Sequence, residues 1–197
     1  MKEILFATGN TAKVDRFYEK LLKNGILLKS LKDININIDI EENGKNAMRK
    51  AKAYYDATKI TTMAMDDTMY IDGIPEEKQP GVFVRRVNGK RLNDKEMIDY
   101  YTNLVKTYGK DGKLNTKWIL GMVIIKDDKI STYTGITNEY YLVDKPAKKI
   151  KEGYPLSSIL INKKLNKYDV YLTEEDKKRN KEEYKDDDVI EFIVNNI

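Results

Sequence analysis

At 197 residues, with 41% apolar and 35% charged side chains, the chain is long enough to bury a real core and too apolar to be disordered. Its 36 basic and 32 acidic residues leave a net charge of +4, too weak a bias to argue for nucleic acid as a partner. It has no Cys and no His, which excludes disulfides, thiolate chemistry and an imidazole base. Catalysis would fall to carboxylates, Lys, Arg, Tyr and hydroxyls, and a metal would be a hard cation held by oxygen, Mg²⁺ first. No apolar stretch reaches the roughly 20 residues of a membrane span, and no signal-peptide core opens the chain, so a soluble, cytoplasmic protein with no membrane partner is expected.

Ile4-Leu5-Phe6-Ala7 reads as a buried strand and Thr8-Gly9-Asn10 as a tight turn. Val14, Phe17, Tyr18, Leu21 and Leu22 then recur as one apolar face of a helix. A strand that turns through Gly into a helix aims backbone N–H groups at one point. That point is a seat for a phosphate, and Lys13 adds a cation in the first helical turn. An ordinary strand–turn–helix opening is the alternative. Gly25 closes the helix, and residues 26–30 form a second strand. Ile34, Ile36, Ile38 and Ile40 alternate with polar residues, which predicts a further extended segment. It runs into Glu41 and Glu42, two carboxylates that suit either a divalent cation or a solvated turn. A helix over 45–59 buries Ala47, Ala51, Tyr54, Tyr55 and Thr58, and one of its basic residues, near its start, is in reach of a phosphate.

Met63-Ala64-Met65 is apolar, Asp66-Asp67-Thr68 interrupts it, and Met69-Tyr70-Ile71 resume. Adjacent acids inside an apolar run are costly without partners. Neighbours on a strand point to opposite faces, so both acids serve one site only if the strand ends there. The pattern predicts one acid on substrate or metal and the other fixing the loop, or else an Asx-type turn between two short strands. Residues 73–81 form a loop rich in Pro and Gly, followed by Arg85 and Arg86. That Arg pair suits bidentate phosphate contact and, equally, a surface ion pair. Asn93 caps a helix over 94–106 with Met97, Ile98, Tyr101, Leu104 and Val105 inward. Segments 118–125 and 130–143 pair as a hairpin, so the sheet is mixed. Gly153-Tyr154-Pro155-Leu156 is a loop, 157–161 a last strand, and 165–188 a solvated charged segment. Apolar positions over 189–194 dock a C-terminal helix on the core.

Ala7-Thr8-Gly9-Asn10-Thr11-Ala12-Lys13 resembles the opening motif of the inosine triphosphate pyrophosphatase family, the non-canonical purine NTP pyrophosphatases. Glu41-Glu42 ahead of Asn46-Ala47-x-x-Lys50-Ala51, then Asp66-Asp67-Thr68, then Pro80-Gly81-Val82-Phe83 follow in the family's order. The resemblance rests on motifs up to residue 105 or so and on topology beyond. It implies an α/β fold with a long mixed central sheet flanked by helices, and a single domain over 1–197 in two lobes around a nucleotide cleft. It also implies a homodimer, with Mg²⁺, or Mn²⁺ in its place, as the cofactor. The implied reaction hydrolyses ITP, XTP and their deoxy forms to the monophosphate and pyrophosphate. Thr8, Gly9, Asn10, Lys13 and Thr68 would hold the substrate, with Arg85 or Arg86 on the phosphate tail. Glu41 or Glu42 would bind the metal together with Asp67. Asp67 would orient or deprotonate the attacking water, with Asp66 and Lys13 completing the catalytic set.

This chain departs from the family pattern in several places. Arg16 stands where the family often has an acid, and Lys45 where it has Glu. Residues 153–158 lack the Asp and second Gly of the family's base-recognition loop, although Tyr154 can stack on a base. Leu172-Thr173-Glu174-Glu175-Asp176-Lys177 resembles the lead-in to the family's Ser-His-Arg signature, but that signature does not follow. These departures predict an altered substrate range. The alternative is a catalytically inactive nucleotide-binding or protein-interaction module on the same fold.

Overall fold

The computed structural model describes residues 1–34, 36, 38, 47–179 and 186–197, without the side chains of 138 and 177. The elements are β1 (Lys2–Phe6), α1 (Thr11–Lys23), β2 (Ile26–Lys29), α2 (Leu31–Ile34), α3 (Ala47–Thr58) and β3 (Thr62–Ile71). They continue with β4 (Arg86–Val87), β5 (Lys90–Arg91), α4 (Asp94–Tyr108), β6 (Lys113–Lys126) and β7 (Lys129–Val143). The last are β8 (Leu160–Asn162), β9 (Lys167–Tyr168), α5 (Glu174–Arg179) and α6 (Asp186–Asn195). Seven strands form one sheet in the order β2-β1-β3-β6-β7-β8-β9. β1 runs parallel to β2 and β3, whereas β8 runs antiparallel to β7 and β9, so the sheet is mixed as expected. The turn between β6 and β7 is two residues, Asp127 and Asp128, both at positive φ, the conformation that matches strand twist in a tight hairpin.

The chain divides into two compact units, and β3, β6 and β7 run from one into the other. The first comprises Met1–Asp66, Leu120–Gly135 and Lys185–Ile197. Its strands are covered on both faces, which is why Ile4 to Ala7 is a continuous apolar run. Ile4, Phe6, Met63, Met65, Met122 and Ile124 pack with Phe17 and Leu21 of α1 and Val189 and Ile193 of α6. The alternate positions Leu5, Ala7, Ala64, Val123 and Ile125 pack with Ala47, Ala51, Tyr54 and Tyr55 of α3. Tyr18 and Leu22, expected on the inner face of α1, are instead exposed.

The second unit comprises Asp67–Ile119 and Ile136–Tyr184. Met97, Ile98, Tyr101, Leu104 and Val105 of α4 bury against Met69, Ile71, Leu114, Leu142 and Ile159. Asn93 caps α4: its side chain accepts from Glu96 N–H at 2.8 Å, and the Glu96 carboxylate accepts from Asn93 N–H at 2.8 Å. Gly109 ends that helix where space is gone. A Cβ there would lie 2.5 Å from Val105 O and 3.0 Å from Lys113 O, both backbone atoms that cannot step aside. Gly109→Ala should therefore destabilise the protein by about 2 kcal/mol and lower the melting midpoint by roughly 4–8 °C, read by thermal unfolding.

Three further sequence expectations change. Ile34 ends a short helix and does not open a strand, because Asp33 accepts hydrogen bonds from Ser30 N–H (2.6 Å) and Ser30 Oγ (2.7 Å) and closes a turn. The rest of that alternating segment lies largely outside the described residues. Residues Pro155–Ser158 form a 3-10 turn, since the Ser157 and Ser158 hydroxyls bond back to Tyr154 O and Pro155 O, and the strand begins only at Leu160. Asp66-Asp67-Thr68 does not break its strand: β3 runs unbroken through all three.

Candidate active site

The first unit builds one set of candidates at the carboxyl end of β1. Leu5 and Phe6 stand opposite Thr62 and Met63 of β3, and Ala7 N–H donates to Met63 O at 2.8 Å. From β1 the chain passes through α1 to β2 on one side and later through α3 to β3 on the other. The gap between β1 and β3 is thus the point where strand order reverses. Open sheets bind ligands at such a point, beyond the carboxyl ends of the strands.

The turn is held by its own side chains. Asn10 N–H donates to Thr8 Oγ1 at 3.2 Å, and Ala12 N–H donates to Asn10 Oδ1 at 3.0 Å, so Asn10 caps α1. Thr8 and Asn10 therefore shape the turn, and the first turn of α1, which includes Lys13, carries no acid. Gly9 is not required by the fold: a Cβ there would meet nothing within 4 Å, and its φ is not positive. Space beside a backbone that could carry any small residue suits the close approach of a ligand. Gly9→Ala should leave the melting midpoint unchanged within error and raise the KM for a triphosphate several-fold, checked by paired thermal and kinetic measurements.

The paired acids divide by strand parity. Asp66 shares the face of Ala64, toward α3, and there it forms an ion pair with Lys50 of α3. Asp66 Oδ1 takes that contact, while Oδ2 is buried with no hydrogen-bond partner among the described residues. Asp67 lies on the opposite parity and opens the second unit, half-buried like Thr68. Glu41 and Glu42 lie outside the described residues. Lys50 sits in the Asn-Ala-x-x-Lys-Ala motif, but sequence reasoning gave it no partner, since nothing local points from it to Asp66.

Arg16, the position that departs from the family, is not an isolated cation. Its guanidinium forms an ion pair with Asp186 of α6, with Nε donating to Oδ1 at 2.9 Å. Lys20 Nζ reaches Asp186 Oδ2 at 3.3 Å. Burial works against the Asp186 carboxylate, but Arg16 and then Lys20 outweigh it and hold its pKa below the ordinary Asp value. In the sequence Asp186 is one acid of the charged segment 165–188, and nothing local marks it as buried.

The second unit carries the remaining candidates. The Pro80-Gly81 loop is tied to β3 by two backbone hydrogen bonds of 3.0 Å between Met69 and Gly81, where φ is +52°. Arg85 Nη1 donates to Asp94 Oδ1 at 2.6 Å and to Leu92 O at 3.4 Å, so this guanidinium is engaged within the unit. Arg86 Nη1 reaches Gly89 O at 3.5 Å across the β4–β5 hairpin. Tyr154 is half-buried at the start of the 3-10 turn, with the Lys151 ammonium 5.0 Å from its ring centroid. Among the described residues no three acids cluster as a metal site. No helix among them is long and apolar enough to cross a membrane.

A mixed α/β sheet with a strand–turn–helix beside its strand-order reversal defines a class of α/β proteins whose ligand sites lie beyond the carboxyl ends of the strands. The Ham1 family model matches residues 4–185, and the chain belongs to that family. The match takes in the region past residue 105 where no motif is legible. The chain is similar to the dITP/XTP pyrophosphatase of Bacillus subtilis (strain 168), at 30% identity over 183 residues, 91% of this chain and 90% of that protein. Two solved structures share the fold. A HAM1 protein from Coxiella burnetii has a TM-score of 0.76 at 20% identity, covering 99% of this chain and 98% of that one. The Staphylococcus aureus Ham1 protein has a TM-score of 0.71 at 19% identity, covering all of both chains.

Proposed function

We propose that this enzyme hydrolyses non-canonical purine nucleoside triphosphates, with dITP, ITP and XTP the first to test, to the monophosphate and pyrophosphate. The observation that carries the reading is the Thr8–Lys13 turn at the carboxyl end of β1, beside the strand-order reversal, with open space at Gly9. Membership of a family whose relatives include a dITP/XTP pyrophosphatase supports the choice of reaction. Backbone N–H groups at the start of α1 and the Lys13 ammonium suit a polyphosphate. Asp67 takes the proton of the attacking water as the bond between the α- and β-phosphates breaks.

The donor chemistry fits a hard divalent cation, Mg²⁺ or Mn²⁺. The chain offers no imidazole or thiolate, so its donors are carboxylate and other oxygens, the set a hard cation takes. Glu41 or Glu42, together with Asp67, are the residues we propose to hold it. Bound there, the cation would neutralise charge on the phosphate oxygens. We also propose a homodimer, on the strength of the exposed apolar side chains Tyr70, Val82 and Phe83, with light scattering as its test.

The decisive assay is pyrophosphate release across a panel of canonical and non-canonical nucleotides with Mg²⁺ or Mn²⁺. Release from dITP, ITP or XTP is the expected result, and silence across the whole panel would sink the reading. A nucleotide-binding module without turnover is favoured by the missing Ser-His-Arg signature. Tight calorimetric binding on a silent panel would establish it.

A further inference from the structure

Lys13, Arg16 and Lys20 stand at positions i, i+3 and i+7 of α1, the spacing that sets them on one stripe of the helix. The stripe begins in the first turn, which carries no acid. Arg16 follows Lys13 by about 5 Å along the axis, and helical side chains lean toward the N-terminus of their helix. The cations therefore stand close behind the turn at Thr8–Asn10. Left to itself, such a stripe behind a helix start would hold any polyphosphate, product as well as substrate.

The acid that meets this stripe comes from α6. Asp186 accepts from Arg16 Nε at 2.9 Å through Oδ1 and from Lys20 Nζ at 3.3 Å through Oδ2, so each carboxylate oxygen faces one cation. Burial sets it apart from the other acids of the two helices. Asp15 and Glu19 on α1, and Asp187, Asp188 and Glu191 on α6, are exposed, and their fields are screened by water and salt. Asp186 is 3% exposed, and a charge in the interior is felt further than one on the surface. Burial opposes its charge, but Arg16 and then Lys20 outweigh burial, so the carboxylate is ionised at neutral pH. Val189 and Ile193 anchor α6 in the core by apolar contact. An apolar group of similar volume often serves stability as well as a buried ion pair does, so stability alone is a weak reason for a charge here.

We propose that Asp186 is a positioning residue that sets the charge of the phosphate seat. By occupying Arg16 and Lys20 it keeps their charge from adding to that of Lys13 and the start of α1. Pyrophosphate, once formed, is then held loosely enough to leave. The inference rests on the phosphate seat of the reading above and concerns product release, which that reading does not address.

The test is calorimetric binding of inorganic pyrophosphate to the wild type and variants, alongside melting midpoints and product inhibition in the turnover assay. Asp186→Asn keeps the shape of the side chain and removes its charge. It should bind pyrophosphate roughly three- to tenfold more tightly and lower the inhibition constant by the same factor. Arg16→Met should weaken binding, and the double variant should return close to wild type. Raised salt should shrink all of these differences. A purely structural residue predicts the opposite sign, since Asp186→Asn would then loosen α1 and weaken pyrophosphate binding as the melting midpoint falls. That result, or an unchanged Kd in folded Asp186→Asn, overturns the proposal. Should Asp186→Asn fail to fold, Lys20→Met replaces it, a change at a more exposed side chain. A several-fold weaker Kd at a retained melting midpoint is then expected, and an unchanged Kd is again fatal. A wild type that binds pyrophosphate but releases none from any nucleotide ends the pyrophosphatase reading alone, and the Kd values still decide this inference. A wild type that binds no pyrophosphate ends both.

Discussion

Asp67→Asn is expected to lower pyrophosphate release by about 10²–10⁴-fold while nucleotide affinity stays within about threefold of wild type. The substitution keeps the side chain's shape and its place on β3 but removes the carboxylate proposed to accept a proton from water. Asp67 is preferred to Asp66 on strand geometry. Asp66 faces α3 and is paired with Lys50, whereas Asp67 projects to the other side of the strand at its half-buried stretch. Asp66→Asn should behave differently, since it strips the charge partner from Lys50 and disturbs binding as well as turnover. Steady-state pyrophosphate release and calorimetric titration with the same nucleotide separate the two. Full turnover in Asp67→Asn would remove that residue from its role.

Asp186→Ala should be the most destabilising single change in the first unit outside its apolar core. The Asp186 side chain is 3% exposed, and it is contacted by Arg16 and Lys20, which are 27% and 36% exposed. Removing it takes away the buried carboxylate that Arg16 and Lys20, one turn apart on α1, share. Breaking a fully buried pair costs about 3–5 kcal/mol; the partial exposure of the cations reduces this to about 2 kcal/mol. Chemical denaturation measures the difference, and the cycle with Arg16→Met isolates the pairwise part. The same pair makes a pH prediction. The folded pKa of Asp186 is depressed, so its contribution is fully present above the unfolded value, about 3.9. It is lost as pH falls through the lower folded pKa. Wild type should therefore lose stability on acidification below about pH 4 more steeply than Asp186→Ala. Parallel acid-unfolding curves would show that the pair carries no such linkage.

Much of the fold was legible because it depends on local pattern. The apolar run at Ile4-Ala7, the helical spacing of Val14, Phe17 and Leu21, the Asn93 cap and the hairpin of segments 118–125 and 130–143 are decided by neighbours within a few residues. The turn at Thr8–Asn10 was legible for the same reason. The Ile34 alternation misled because a short-range polar contact, Asp33 to Ser30, overrode a period of two. Asp66-Asp67 looked like a break because two acids are costly inside a strand. The partner that offsets one of them, Lys50, is sixteen residues away on another element.

By itself, then, the sequence determined the local elements, the strand–turn–helix seat at residues 8–13, and a chemistry limited to carboxylates, cations and hydroxyls by the lack of His and Cys. Only the tertiary structure decided which charges are spoken for. Arg16 reads in the sequence as a lost acid, and the fold pairs it with Asp186, 170 residues away; Arg85 reads as one of an Arg pair, and the fold sets it against Asp94. The reason is physical. Helix and strand periodicity are short-range properties of the backbone, whereas the state of a charge depends on whatever the fold brings within a few ångströms of it.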